Sequence, residues 1–280
     1  MAPKMLCTGD PILDIYIDEE GHMRTFKGGA LNVYSNILAL LEEHWFSGGS
    51  DNLKFAWPND GDVVTGDIFT QYTILRTPLH PEGIPLTSKY EKNIFYECSG
   101  IAESIIDFQP NILVLADYDK GTLTMSSELV LPEIDVAIAD SRYRSLHQYW
   151  LSSSKLKLWH ATADEYDQDW ANNFDYTFWT NGAEPVKILR DGNIIATLPV
   201  PQETNVVDTC GSGDTFTATV AAFIYANDPK QLSDEKLIEY AAHAIEVCQD
   251  VVKQPYTSTT KKRIQHVHYE SRGSNTVTET

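Results

Sequence analysis

Residues Asp208-Thr209-Cys210-Gly211-Ser212-Gly213-Asp214 run straight into the apolar stretch Thr215 to Ala226, so a glycine-rich loop must turn into a buried helix within a few residues. Gly211 and Gly213 admit backbone angles closed to other residues and let a ligand approach the main chain. The first N–H groups of the following helix have no intrahelical partner, and the helix dipole adds partial positive charge there. Phosphate is the natural occupant of such a site. Asp214 stands at its mouth, where a carboxylate can take a proton from a hydroxyl attacking a phosphoryl group. Read alone, the segment also fits a glycine-rich turn with Asp208 or Asp214 as a helix N-cap.

A second segment, Gly28-Gly29-Ala30-Leu31-Asn32, opens another helix, with Ala30, Val33, Tyr34, Ile37, Leu38 and Leu41 at helical spacing on one face. Asn32 and Asn36 fall off that face, which leaves Asn32 to bind something polar. The plainer account of the glycine pair is close helix–strand packing. Apolar strands are predicted at Met5–Thr8, Ile112–Ala116, Val136–Ala139, Leu156–Trp159 and Tyr176–Thr180, with helix or loop between them. A hairpin follows, Val186–Leu189 and Ile194–Leu198 about the turn Asp191-Gly192-Asn193. Helices over 214–226 and 234–252 close the series, the second capped by Ser233. This is the order of a doubly wound α/β sheet, in which ligands collect at the carboxyl ends of the strands. Asp14, Asp117, Asp140 and Thr180 are all expected at such ends.

The two glycine segments together resemble the paired signatures of the ribokinase-like (PfkB) carbohydrate kinases, Gly-Gly-x-x-x-Asn and Asp-Thr-x-Gly-Ala-Gly-Asp, with Ser212 in place of the alanine. Gly9-Asp10-Pro11-Ile12-Leu13-Asp14 is similar to the family's first strand. Thr180-Asn181-Gly182-Ala183 is similar to its Thr-x-Gly-Ala turn. Asp117-Tyr118-Asp119-Lys120-Gly121 is similar to an element of the heptose 7-phosphate 1-kinase branch. The resemblance covers about residues 5–260. It implies an α/β fold with a mostly parallel sheet flanked by helices and a small β lid. The kinase domain would occupy 1–260, the lid about 15–25 and 71–98, and a polar tail 261–280.

The activity implied is phosphoryl transfer from ATP, with Mg²⁺, to a sugar or sugar-phosphate hydroxyl. Asp214 would be the base, and Gly211, Ser212 and Gly213 the oxyanion-hole donors. Asp14, Gly28, Gly29 and Asn32 would hold the sugar, Lys120 a second phosphate if the acceptor is a heptose 7-phosphate. Thr180, Gly182 and Thr209 would lie along the nucleotide. Glu165 would position Mg²⁺ through water, although the family's Asn-x-x-Glu reads Thr162-Ala163-Asp164-Glu165 here; a solvated surface carboxylate is the plainer reading. The stretch from Glu42 to Gln71 is shorter than the family's and lacks its Val-Gly-x-Asp-x-x-Gly element, which implies loss of a peripheral strand–helix piece.

Composition narrows the rest. A net charge of −19 argues against nucleic acid, whose phosphates need basic patches. Apolar runs are too short to span a membrane, the start Met1-Ala2-Pro3-Lys4 lacks a signal-peptide core, and cysteines 7, 98, 210 and 248 have neither metal nor disulfide spacing. These features predict a reduced, cytoplasmic protein. Residues 71–98 alternate in short runs such as Asn93-Ile94-Phe95-Tyr96; the family resemblance implies that these form lid strands and that the lid serves as a homodimer surface, with an edge extension of the main sheet as the alternative. The competing functional class is a catalytically inactive relative that binds a sugar, nucleotide or protein partner. The altered residue 162 and the short 42–71 region favour it; Asp214 and the intact glycine nest oppose it.

Overall fold

Gly9 ends the first strand, and the chain then passes from one sheet into another within two residues. In the computed structural model, residues 3–41, 52–56, 72–77, 79–85, 94–119, 122–123, 130–141, 146, 148–203, 205–256 and 259–260 are described. β1 (Met5–Gly9) is buried throughout and lies in the large sheet, whereas β2 (Pro11–Ile17) and β3 (Met23–Gly29) form an antiparallel pair in a smaller one. α1 (Ala30–Leu40) returns across the large sheet, and β4 (Leu53–Phe55) pairs parallel with β1 at its edge. β5 (Tyr72–Thr77) and β6 (His80–Pro85) complete the small sheet, in the order β3-β2-β5-β6.

α2 (Ile94–Phe108) follows. Strand was expected over residues 94–98; instead they begin this helix, and Ile94, Phe95 and Tyr96 are not lid strand. Ile101, Ile105 and Phe108, all buried at helical spacing, explain why the segment coils: burying that stripe outweighs the local β preference of Ile-Phe-Tyr.

β7 (Ile112–Asp117) and β8 (Ile134–Ser141) are buried at every position, the pattern of parallel strands covered on both faces. β9 (Ser154–Thr162) and β10 (Tyr176–Asn181) continue the parallel run, and β11 (Glu184–Arg190) and β12 (Asn193–Leu198) add the antiparallel hairpin. The large sheet therefore reads β12-β11-β10-β9-β8-β7-β1-β4. α3 (Ser212–Ala226) and α4 (Asp234–Val251) pack with α1 on one face. Ser233 caps α4 by accepting from the Lys236 amide, as its position predicts.

Alternation along β7 assigns the two cores. Ile112, Val114 and Ala116 face α1 and α3 through Val33, Ile37, Phe216 and Val220; Leu113 and Leu115 face Ile101 and Ile105 of α2. A fully buried aliphatic side chain in such a layer contributes ~1.5–3 kcal/mol, and this double-sided packing fixes the strand ends on which the polar residues stand.

The sheet order and the two helical layers bear out the predicted doubly wound α/β class. Asp14 departs from expectation. It sits in the middle of β2, in the small sheet, because the chain breaks its first strand at Asp10. Asp117, Asp140 and Thr180 do lie in the last two residues of β7, β8 and β10. Of the short 42–71 region, β4 and its neighbours over 52–56 are described; the remainder, Lys120 and the tail 261–280 lie outside the described residues. Among the described residues no helix is long and apolar enough to cross a membrane.

Candidate active site

Gly211 takes a left-handed conformation (φ 81°) as the N-cap of α3, with no side-chain cap. This excludes Asp208 or Asp214 as an ordinary N-cap. Asp208 instead holds the loop: its Oδ1 accepts from the Cys210 amide at 2.9 Å and its Oδ2 from the Tyr256 amide at 3.1 Å. Ser212 closes the turn, its Oγ donating to the Thr209 carbonyl at 2.8 Å and its N–H lying 3.2 Å from the same oxygen. The Ser212 amide is thus partly engaged within the turn, which leaves Gly211 and Gly213 as the better anion donors of the three. A side chain at Gly213 would meet His160 Cε1 at 3.5 Å, an ordinary contact, so packing does not demand glycine there.

Asp214, in the first turn of α3, is buried. Asn32 Nδ2 donates to its Oδ2 at 2.7 Å, and the Tyr118 hydroxyl donates to its Oδ1. Burial raises its pKa to about 7, with repulsion from Asp140 and Asp14 adding to the rise and the Tyr118 and Asn32 hydrogen bonds opposing it. A carboxyl that half-ionises near neutrality is suited to proton transfer.

Gly29 (φ 56°) makes the turn from β3 into α1, and the Ala30 amide donates to the Asp10 carbonyl at 3.0 Å. Gly28 leaves room for the Asp14 carboxylate, which a Cβ there would overlap. Asp14 is paired with Arg76 of β5 (Nε–Oδ1 3.4 Å). Asp10 is a staple: its two carboxylate oxygens accept from the amides of Tyr118 (2.7 Å) and Thr122 (3.2 Å), joining the ends of β1 and β7. Asp117 likewise accepts from Ser141 Oγ at 3.1 Å and from the Asp119 amide at 3.1 Å.

Beneath the glycine nest lies a buried polar cluster. Thr217 Oγ1 donates to Asp140 Oδ2 at 2.8 Å, so the His160 Nδ1 facing the same hydroxyl at 3.0 Å must carry the proton between them. His160 Nε2 then meets Thr180 Oγ1 at 3.1 Å, and the ring stacks on Phe216. Beside this cluster opens a cavity of about 260 Å³. Thr180, Gly182 and Thr209 all line it, as do Ser212 and Gly213, with Val186, Val200, Ile245 and Val252 among its apolar lining. Glu165 is not among the lining residues; its Oε2 accepts from the Thr162 amide at 2.8 Å, capping the turn after β9. His243 is stacked on Phe223 on the partly exposed face of α4 and is not among the cavity-lining residues.

The structure therefore gathers Asp214, Gly211, Ser212, Gly213 and Asn32 at one point, brings Thr180, Gly182 and Thr209 around one cavity beside it, and sets Gly28, Gly29 and Asp14 at the base of the small sheet. Sequence reasoning missed Tyr118 and His160 as site residues. Tyr118 lay inside an already notable Asp-Tyr pair, and His160 was a lone polar residue within the buried run Leu158-Trp159-His160-Ala161.

No family model matches the sequence, and no curated protein does. Among solved structures the chain is similar to fructokinase from Vibrio cholerae in a fructose-, ADP- and calcium-bound form, at 13% identity and TM-score 0.60, covering 94% of this chain and 96% of that one. It is similar to ribokinase from Giardia lamblia at 13% identity and TM-score 0.60 (93% and 97% covered). Aminoimidazole riboside kinase from Salmonella enterica, complexed with aminoimidazole riboside and an ATP analogue, matches at 13% identity and TM-score 0.58 (91% and 95% covered). The likeness is one of fold: this chain adopts the ribokinase-like fold.

Proposed function

We propose that the protein is an ATP-dependent sugar kinase that transfers the γ-phosphoryl group to a sugar or sugar-phosphate hydroxyl. One observation carries the reading: a buried carboxylate with pKa raised to about 7 stands at the glycine-bounded N-terminus of a helix, beside an apolar cavity. Asp214 removes the acceptor proton as the oxygen attacks. Tyr118 and Asn32 hold its two oxygens, so the carboxylate needs no reorientation when the proton arrives. The Gly211 and Gly213 amides, with the dipole of α3, stabilise charge on the transferring group. The cavity walls and the Thr180 and Thr209 hydroxyls fit a nucleoside with its phosphates directed at the nest. Mg²⁺ entering with the nucleotide would neutralise phosphate oxygens. Glu165 would hold it through water, in keeping with the ion's preference for oxygen ligands and retained hydration. The solved fructokinase complex holds fructose with ADP and the riboside kinase complex holds a riboside with an ATP analogue, which supports reading this chain as a protein that takes a sugar and a nucleotide together.

For the acceptor we propose a heptose 7-phosphate, converted to the 1,7-bisphosphate, on the strength of the Asp117-Tyr118 element and the Gly9-Asp10 opening. Lys120 would face its second phosphate. Arg76, paired with Asp14 from the small sheet, is a cation beside the residues proposed to hold the sugar. Asp14, Gly28, Gly29 and Asn32 would line the sugar, with the small sheet as lid and its outer face, where Met23 and Ile84 are exposed, as a homodimer contact. One observation favours the inactive alternative: the Glu165 carboxylate is drawn onto the Thr162 amide where the family carries asparagine. Turnover decides. Measurable phosphorylation that Asp214→Asn abolishes supports the kinase; nucleotide binding with no turnover on any sugar supports the binding protein.

A further inference from the structure

Two asparagines one turn apart on α1 connect the segment after α4 to Asp214. The Thr260 amide donates to Asn36 Oδ1 at 2.7 Å. Asn36 Nδ2 donates to Asn32 Oδ1 at 3.0 Å and to the Asn32 carbonyl at 2.9 Å. Asn32 Nδ2 donates to Asp214 Oδ2 at 2.7 Å. Asn36, Asn32 and Thr260 are 0%, 1% and 3% exposed.

The chain has a direction. A carboxamide accepts at one end and donates at the other, and a backbone N–H can only donate. The Thr260 amide therefore holds Asn36 with Oδ1 outward and Nδ2 toward Asn32. That in turn holds Asn32 with Oδ1 toward Asn36 and Nδ2 toward Asp214. A half-turn of either side chain would press like ends together where no solvent compensates, an arrangement that buried polar groups avoid.

We propose that Asn36 is a positioning residue for the carboxylate at 214: anchored by the Thr260 amide, it sets the orientation of Asn32 so that Asn32 presents a donor to Asp214. This rests on the reading of Asp214 as the base. Asn36 touches no reacting atom and acts only through Asn32. The segment that supplies its anchor also reaches the rest of the site, since the Tyr256 amide donates to Asp208 in the glycine loop and the Tyr256 ring packs on Tyr16 and Phe26 of the small sheet.

The consequence is a pH dependence. A donor on Asp214 favours its ionised form; a reversed Asn32 amide would offer an oxygen and favour the protonated one. Among the described residues, the other groups facing Asp214 are Tyr118 after β7, Asp140 at the end of β8, Asp14 in β2 and Cys248 on α4. His160 stands behind Asp140, and Arg76 behind Asp14. A substitution at position 36 alters none of them.

Two experiments test the proposal. In the wild-type protein, the side-chain amide resonances of Asn32 and Asn36 should shift with pH at one shared midpoint, and the shift should vanish in Asp214→Asn. An Asn36 amide that ignores the midpoint overturns the relay, whether or not any sugar is phosphorylated. In Asn36→Leu, of similar volume but without hydrogen bonds, the acid midpoint of kcat should rise by about 1 pH unit, the effect of losing one hydrogen bond to a charged group. KM for ATP should be unchanged. A variant that melts earlier but keeps the wild-type pH profile would make Asn36 merely structural and refute the proposal.

Discussion

Replacing Asp214 by asparagine should stabilise the protein at alkaline pH while destroying its activity. The carboxyl titrates at about 7 in the fold rather than at the ordinary 3.8, chiefly because it is buried and then because Asp140 lies near. Between those two values the folded chain keeps a proton that the unfolded chain has released. Stability therefore falls as pH rises through that window, and the full cost is present above pH 7. A difference of about 3 pH units corresponds to roughly 4 kcal/mol. Asparagine cannot ionise and escapes this cost, while its carboxamide can still accept from Asn32 and donate to the Tyr118 oxygen. Urea unfolding of both proteins from pH 4 to pH 8 measures the effect, because carboxylates common to both cancel in the difference. Asp214→Asn should gain stability over wild type progressively from pH 4 and hold a plateau above 7. A difference that does not change with pH, or a wild type more stable at pH 8, would refute the account of Asp214 as a carboxylate destabilised by burial. The variant should also lose a general-base contribution of about 10²–10⁴ in turnover, so that stability is sacrificed here for function.

Three further outcomes follow from the geometry. Tyr118→Phe removes a hydrogen bond that favours the ionised base, so the acid limb of the kcat profile should move up by about 1 pH unit with little change above pH 9; a loss uniform across pH would contradict this. Gly213→Ala should fold with wild-type stability, since its Cβ meets only His160 Cε1 at 3.5 Å, yet should lose turnover by obstructing the anion nest; a thermal melt and a rate measurement separate the two. Gly28→Ala should raise KM for the sugar and leave nucleotide affinity intact, because its Cβ displaces the Asp14 carboxylate on the sugar side; isothermal titration with the nucleotide checks the second half.

The central fold was legible because its strands carry their own signals. Ile112–Ala116 and Val136–Ala139 are apolar runs too short for helices, and Gly211 and Gly28-Gly29 mark loop-to-helix turns that few other residues make. The strand-end position expected for Asp14 fails because nothing local shows that the chain changes sheets at Asp10; that break is set by the amides of Tyr118 and Thr122, over a hundred residues on. Residues 94–98 alternate like strand for a few positions, and only the later Ile101, Ile105 and Phe108 reveal the helix. Helical spacing puts Asn36 off the apolar face of α1, whereas it is wholly buried: its partner, Thr260, lies 224 positions away. Tyr118 and His160 share that difficulty, since each gains its role from a residue on another element. Periodicity reports which side of an element is covered, not which polar group from elsewhere meets it.

The most direct test of the central claim is ADP release from Mg·ATP by wild type and Asp214→Asn against heptose 7-phosphate, ribose, fructose, fructose 6-phosphate and adenosine. The account predicts sugar-dependent release by wild type, greatest with heptose 7-phosphate, and none above background by the variant. Equal release by the two proteins, or none with any sugar, would contradict it.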